Sequence, residues 1–311
     1  MDRRAGGIAA ALLLLAVPAA AADLPLRALR WFGPEVDRVA VLTTAPAECL
    51  AMPTSPMAQA QVEIGRAAFR SPLLLGGQAA RAGLACESCH RNGRGNPDFR
   101  FPGISGAAGT ADVTSSLFSK KRGDGVTNPK PIPDLASDPR KITPAQMRAF
   151  VEGLVVDEFD GAQPPAAVLD GLVAYVGALR SGACTAAKVT ITATTVAGDA
   201  RRAVAAARGA LASGDDSTAA VLLLAARAQL GLLNERYAGA ALAHDRAQLS
   251  TADAALAAAL AAVRRGDAGA GGKLERWDTV AAKWMQALVA DEGHSLFDRR
   301  RLMAVIHASD Q

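Results

Sequence analysis

A mainly α-helical fold in two unlike parts follows from three features of this 311-residue sequence. The last third is dominated by alanine and repeats its larger apolar residues at helical spacing. A central run, Arg91 to Lys141, is rich in glycine and proline and shows little periodicity. Aromatic residues are sparse, at 4%, and the composition changes near residue 190, which places a boundary there.

The chain opens with Asp2, Arg3 and Arg4, then the apolar run Ile8 to Val17, Pro18 and a string of alanines before Asp23. This is the charged, apolar and small-residue order of a secretory signal peptide, cleaved after Ala22. The apolar run is too short to span a bilayer, and no stop-transfer pattern follows it. The expectation is a soluble exported protein, periplasmic in a Gram-negative cell, with residues 23–56 as an N-terminal extension. Without the leader the formal charge falls from +4 to about +3. That mild basicity and the lack of a recognition motif argue against a nucleic-acid partner.

Ala58 to Phe69 reads as a short helix, with Val62, Ile64, Ala68 and Phe69 available for burial. Thr143 caps a second helix with Pro144 in its first position, running through Met147 and Phe150 to about Glu158. A third spans Ala166 to Arg180, carrying Leu169, Leu172, Val173, Val176 and Leu179.

Beyond residue 196 the sequence is helical almost throughout. Val204 and Leu211 mark one helix, ended by Gly214, and Asp215, Asp216 and Ser217 are N-cap candidates for the next. Leu242, Leu249, Leu256 and Val263 recur at strict seven-residue spacing, with small alanines between them that permit close helix approach. A loop is expected over Gly266 to Gly272. A fourth helix follows with Trp277, Val280, Trp284, Leu288 and Val289, and a short last one through Leu302 and Val305. An antiparallel four- or five-helix bundle over 191–311 is the simplest arrangement. The absence of a fixed repeat period excludes an array.

The chemistry concentrates at Cys86-Glu87-Ser88-Cys89-His90. C-x-x-C-H is the spacing at which two thiols add to the vinyl groups of one porphyrin while the adjacent histidine binds its iron. A half zinc site, a dithiol redox pair and a chance match are the competing readings. An exported chain favours haem, because haem attachment to this motif takes place outside the cytoplasm. The remaining cysteines, Cys49 and Cys184, flank the motif and are expected to form a disulfide, permissible in an oxidising compartment. Closing so long a loop corresponds to about 4–5 kcal/mol in the chain-entropy model. A zinc site would instead need Cys49 and Cys184 to approach the motif.

With Gly65-Arg66-Ala67-Ala68-Phe69, the glycines Gly76, Gly77 and Gly83, and Cys86 to His90, the chain resembles one haem domain of the bacterial dihaem cytochrome c peroxidase and MauG-like family. Leu172 to Arg180 resembles the closing helix of c-type cytochrome domains, which would bring its aromatic residue, Tyr175, near the haem edge. The resemblance covers about 57–184. It implies a cytochrome c-like haem domain over 57–190, with long irregular loops, and one covalent haem c on Cys86, Cys89 and His90. Because the chain carries a single motif, the two-haem peroxidase mechanism does not carry over.

The sixth iron ligand decides between carrier and enzyme. A methionine thioether favours ferrous iron and closes the distal face. Met147 is the methionine between the motif and the closing helix, and Met52 and Met57 are the alternatives nearby. His244, His294 and His307 all lie in the helical region. Arg91, Arg94, Arg100, Lys120, Lys121, Arg122 and Lys130 gather in the irregular run as candidates to neutralise propionates or to form a basic rim. Glu158 and Asp160 are the acids that a peroxidase could use to move a proton. The expectation is a periplasmic monohaem electron carrier with a helical domain for docking a redox partner protein or for forming a homodimer. A peroxidase- or oxidase-like enzyme with an open distal face, and a haem-based sensor or scaffold, are the rivals.

Overall fold

The structure, a computed structural model, describes residues 26–114, 117–121, 123–137, 142–184 and 186–309. The expected leader, 1–22, and Arg122 lie outside these residues. The fold is mainly helical, with 63% of residues in helices and few strands.

A short 3-10 turn, Arg27–Trp31, precedes α1 (Arg38–Thr43) and β1 (Thr44–Pro46). Then come α2 (Pro56–Phe69), α3 (Pro72–Leu75), α4 (Gly77–Ala82) and the single turn α5 (Cys86–Cys89). Among the described residues of the glycine- and proline-rich run, a 3-10 turn at Arg91–Gly93 precedes β2 (Thr110–Ala111) and β3 (Lys130–Pro131), an antiparallel pair. α6 (Pro144–Gly153) is capped by Thr143, whose side chain accepts the Gln146 N–H while Gln146 reaches back to the Thr143 N–H. It continues as a π-helical turn over Leu154–Glu158, and α7 (Ala166–Ala178) follows. β4 (Lys188–Thr190) returns to pair antiparallel with β1.

Four long helices form the remainder: α8 (Ala193–Ala212), α9 (Asp216–Arg236), α10 (Ala243–Arg264) and α11 (Ala270–Ala290), followed by α12 (Arg299–Ser309). Each of the four packs on the next, and α11 closes the ring on α8. The heptad residues Leu242, Leu249, Leu256 and Val263 are all buried in its core. Asp215 caps α9 by accepting the Thr218 N–H, and Gly214 takes the left-handed conformation (φ 76°) that ends α8. The expected loop over 266–272 is shorter, since α11 begins at Ala270. Val280, Val289 and Val305 are exposed: the buried stripe of α11 is Leu274, Trp277, Ala281, Trp284 and Leu288, at spacings of three and four, and the two valines of that helix fall off it. α9 is long and apolar enough to cross a membrane, yet Leu222, Leu223, Leu230 and Leu233 are spent in the bundle core.

The segment before residue 57 is built into both parts. Val39, Val41 and Leu42 form a small core with Leu296, Leu302 and Ile306, so that α1 packs on α12. Cys49 and Cys184 are joined in a disulfide, with Cα atoms 4.7 Å apart, as the cysteine count predicted. The bond lies beside the β1–β4 pair and the Leu50–Leu179 bridge.

α2 is the element on which the two parts meet: it packs on α7 on one side and on α8 and α9 on the other. Its crossing with α7 is made by glycines. A methyl group on Gly65 would overlap the Gly171 carbonyl, and one on Gly171 would lie 2.8 Å from the Gly65 nitrogen. Gly65→Ala is therefore expected to lower stability by about 1–3 kcal/mol or more, since backbone must move. Gly177→Ala on the open side of α7, where nothing lies within 4 Å, should instead stabilise by about 0.4–1 kcal/mol. Urea unfolding midpoints of the two variants check this contrast.

Candidate haem site

α5 is a single helical turn, so Cys86 and Cys89 lie on one face of it. Ser88 caps the turn by accepting the Ala85 N–H at 3.1 Å, and Asn96 Nδ2 donates to the Ser88 carbonyl at 2.8 Å. Both thiols are half-buried and reduced, and pack on the apolar cluster of Phe69, Leu84, Phe99, Leu172 and Tyr175. Burial pushes each thiol up to about 12. Thiol exchange proceeds through the thiolate, so this environment disfavours the dithiol redox reading.

His90 follows at the end of the turn, half-buried. Its Nδ1 lies 3.0 Å from the Pro133 carbonyl oxygen. A carbonyl can only accept, so Nδ1 carries the proton and the lone pair is on Nε2. Burial, against the opposing pull of Pro133 and Asp134, lowers the imidazole to about 4 and keeps it neutral near pH 7. A neutral imidazole with its Nδ1 proton engaged is the form in which histidine ligates metal through Nε2.

Pro133 is itself fixed. Leu135 N–H donates to the Gly93 carbonyl at 3.1 Å, and Arg94 holds Asp134 with Nε at 2.8 Å from both carboxylate oxygens. Arg94 Nη1 also donates to Cys49 Sγ at 3.0 Å. Gly95 lets the strap lie close, since a methyl group there would sit 3.3 Å from the Ile132 carbonyl.

Behind α5, on the side of Glu87, is a charged network that the sequence did not disclose. Arg70 is buried and donates to Glu48 Oε1 and Asn92 Oδ1, both at 2.9 Å. It lies 3.8 Å from Glu87 and 3.6 Å from Asp199 of α8, and its guanidinium is 6.0 Å from the Tyr175 ring centre. Glu48 is further held by Arg66 and by the Tyr175 hydroxyl, which donates at 2.8 Å. Burial works to raise Glu48, but Arg70 and Arg66 overcome it and hold the carboxyl at about 2. Glu87 goes the other way: burial raises it to about 7, with Arg70 and the Asn92 N–H only partly offsetting this. Glu48, Arg66, Arg70, Glu87, Asn92 and Asp199 line a cavity of about 730 Å³ between α5 and the bundle. Glu87 and Ser88 border it and the thiols and His90 do not, so it lies on the far side of the turn from the motif's reactive groups.

Met147 on α6 is half-buried and packs on the same apolar cluster as both thiols. α6 buries none of its residues fully, and Phe150 is 62% exposed. Met52 and Met57 are exposed, as are His244, His294 and His307 on the bundle. Several residues of the basic run are engaged by protein. Arg91 donates to the Val41 and Thr44 carbonyls, Arg94 grips Asp134, Arg100 pairs with Glu35, and Lys121 with Asp157. These contacts brace the loops, while Arg100 and Lys121 stay largely exposed. Lys130 reaches Asn128, and Lys120 N–H donates to Asp160, whose backbone is left-handed (φ 54°). Asp160 is thus a loop tie, and Glu158 is buried. No cluster of three or more metal-binding side chains occurs among the described residues. With Cys49 and Cys184 bonded to each other, the zinc reading has lost its ligands.

The donor set fits a covalently attached porphyrin: two neutral thiols on one turn, a neutral imidazole presenting Nε2, and an apolar surface shared with Met147. The chain matches no known family model, no curated protein and no solved structure.

Removing one partner of the buried network leaves charge without compensation, so Glu48→Gln should destabilise by about 3–5 kcal/mol in thermal or urea unfolding. The pH dependence has two opposed parts. Glu48, held at about 2 against 4.5 when unfolded, stabilises above pH 4.5 and loses this as pH falls toward 2. Glu87, raised to about 7, contributes fully below pH 4.5 and loses its contribution as pH rises through 7. Glu87→Gln should therefore flatten the decline in stability between pH 5 and 8 and leave the acid limb in place.

Proposed function

We propose that the chain is an exported, periplasmic, monohaem c-type cytochrome that carries electrons, with a cytochrome c-like haem domain and a helical bundle that docks a redox partner protein or a second copy of itself. The observation that carries this reading is the hydrogen bond from His90 Nδ1 to the Pro133 carbonyl at 3.0 Å. It holds the imidazole of a C-x-x-C-H turn in the tautomer that ligates iron, on a strap with its own anchors. A dithiol couple has no need of that arrangement, and a structural zinc site would need further ligands, which Cys49 and Cys184, bonded to each other, do not supply.

A bound c-type haem supplies a one-electron ferric–ferrous couple. Cys86 and Cys89, spaced by α5, would hold the ring by thioether bonds. His90 would ligate through Nε2, and the strap that accepts its Nδ1 proton keeps the imidazole from turning. Met147 would supply the remaining iron ligand, since it shares the apolar cluster with both thiols whereas Met52 and Met57 are exposed. Its thioether would favour the ferrous state and exclude small oxidants from the iron. The side chains of α6 and the aromatic Phe69, whose ring is 6.4 Å from that of His90, supply apolar cover. One of the two acids a peroxidase could use, Asp160, serves as a loop tie that accepts the Lys120 N–H. Nucleic acid has no part in this function, and no integral membrane segment is invoked for the mature chain.

Absorption spectra of the purified holoprotein test the assignment. A low-spin spectrum with the weak far-red ferric band of methionine–iron bonding is expected, together with conversion to high spin in Met147→Ala. A high-spin ferric spectrum that responds to peroxide or cyanide would remove the carrier reading. An unchanged spectrum in Met147→Ala would remove Met147.

A further inference from the structure

The strap that holds His90 is itself held from one point. Arg94 grips Asp134, the neighbour of Pro133, through Nε at 2.8 Å and Nη2 at 2.6 Å, and uses Nη1 to donate to Cys49 Sγ at 3.0 Å. Asp134 also accepts the Ala136 N–H at 2.9 Å, and its carbonyl accepts the Ser137 hydroxyl at 2.7 Å, so its carboxylate and backbone define the turn after Pro133. The disulfide is fixed in turn by the Arg180 N–H, which donates to the Cys49 carbonyl at 2.7 Å, and by the covalent bond to Cys184. A continuous series of contacts therefore runs from the disulfide through Arg94 and Asp134 to the carbonyl that accepts from His90.

We infer that Arg94 is a positioning residue for His90, anchored on the Cys49–Cys184 disulfide, and that this clamp sets the ferric–ferrous balance of the haem; the inference rests on the haem reading above. The physical reason is ligand basicity. A firmly held Nδ1–H···O=C bond gives the imidazole more anionic character, and a more basic ligand favours ferric iron. Loosening the clamp weakens that bond and raises the potential. Simple charge makes a different prediction. Removing the Arg94 cation would favour ferric iron and lower the potential, whereas removing the Asp134 anion would raise it.

The test is a spectroelectrochemical titration of the holoprotein and three variants: Arg94→Gln, Asp134→Asn and the neutral Cys49→Ala/Cys184→Ala pair. Positioning predicts that all three raise the potential, with Arg94→Gln shifting the ferrous preference by about tenfold, which is 59 mV for a one-electron couple. Arg94→Gln combined with Asp134→Asn should shift it no further than either alone. The His90 ring Nδ1 proton, followed by NMR in the reduced protein, should exchange faster with water in each variant. Opposite shifts in Arg94→Gln and Asp134→Asn, or no shift in either, would overturn the inference. If Arg94→Gln fails to fold, the neutral Cys49→Ala/Cys184→Ala pair, for which charge alone predicts no shift, and the proton-exchange rate still decide. Wild-type protein without covalent haem would instead refute the haem reading, a result distinct from any change among the variants.

Discussion

The fold is organised around the buried guanidinium of Arg70. It stands at the end of α2, where the N-terminal segment, the C-x-x-C-H turn and the helical bundle meet. Glu48 reaches it from the first, Glu87 and Asn92 from the second, and Asp199 from the third. A buried cation is tolerated only with its hydrogen bonds and countercharges in place, and these partners come from three different parts of the chain. The result is a polar seam that permits one relative placement of the parts. Apolar surface alone, with alanines facing alanines in the bundle, would specify that placement far less sharply.

The same logic recurs around His90 on a smaller scale. The motif sits in a stretch with little regular structure, where few backbone groups bond to one another in ladders. Side chains make up the difference. Arg91 satisfies the Val41 and Thr44 carbonyls, Asn92 reaches the Pro46 carbonyl, and Arg94 and Asp134 fix the strap. The disulfide joins Cys49 to Cys184 across the base of this region. Rigidity at the imidazole thus comes from cross-links between loops, and α2 and α7, crossing at Gly65 and Gly171, form the floor beneath them.

Periodic and local signals were legible in the sequence. The heptad of Leu242, Leu249, Leu256 and Val263, the Thr143–Pro144 helix start and the Asp215 cap each depend on residues a few positions apart, and each is realised. The Cys49–Cys184 bond was legible because two of four cysteines were already accounted for by the motif. The charged seam was not. Glu48, Arg70, Glu87 and Asp199 are single residues far apart in the chain, and an isolated charge carries no mark of its partner. For the same reason the local partners of the basic run, the carbonyls and carboxylates that Arg91, Arg94 and Arg100 bind, were not legible. Val280 and Val289 read as core from hydrophobicity, and they are exposed because the stripe set by the two tryptophans passes beside them. Cys86, Cys89 and His90 stand out in the sequence as a motif. The Pro133 acceptor does not, since a backbone carbonyl has no sequence signature.

The central claim is that Cys86 and Cys89 carry one haem with His90 as its iron ligand. Intact-protein mass spectrometry, after export from cells able to attach haem, followed by denaturation and alkylation, tests it most directly. The expected product is a chain heavier than its polypeptide by a single haem, with Cys86 and Cys89 protected from alkylation. A chain of polypeptide mass alone, with both thiols alkylated, would contradict it.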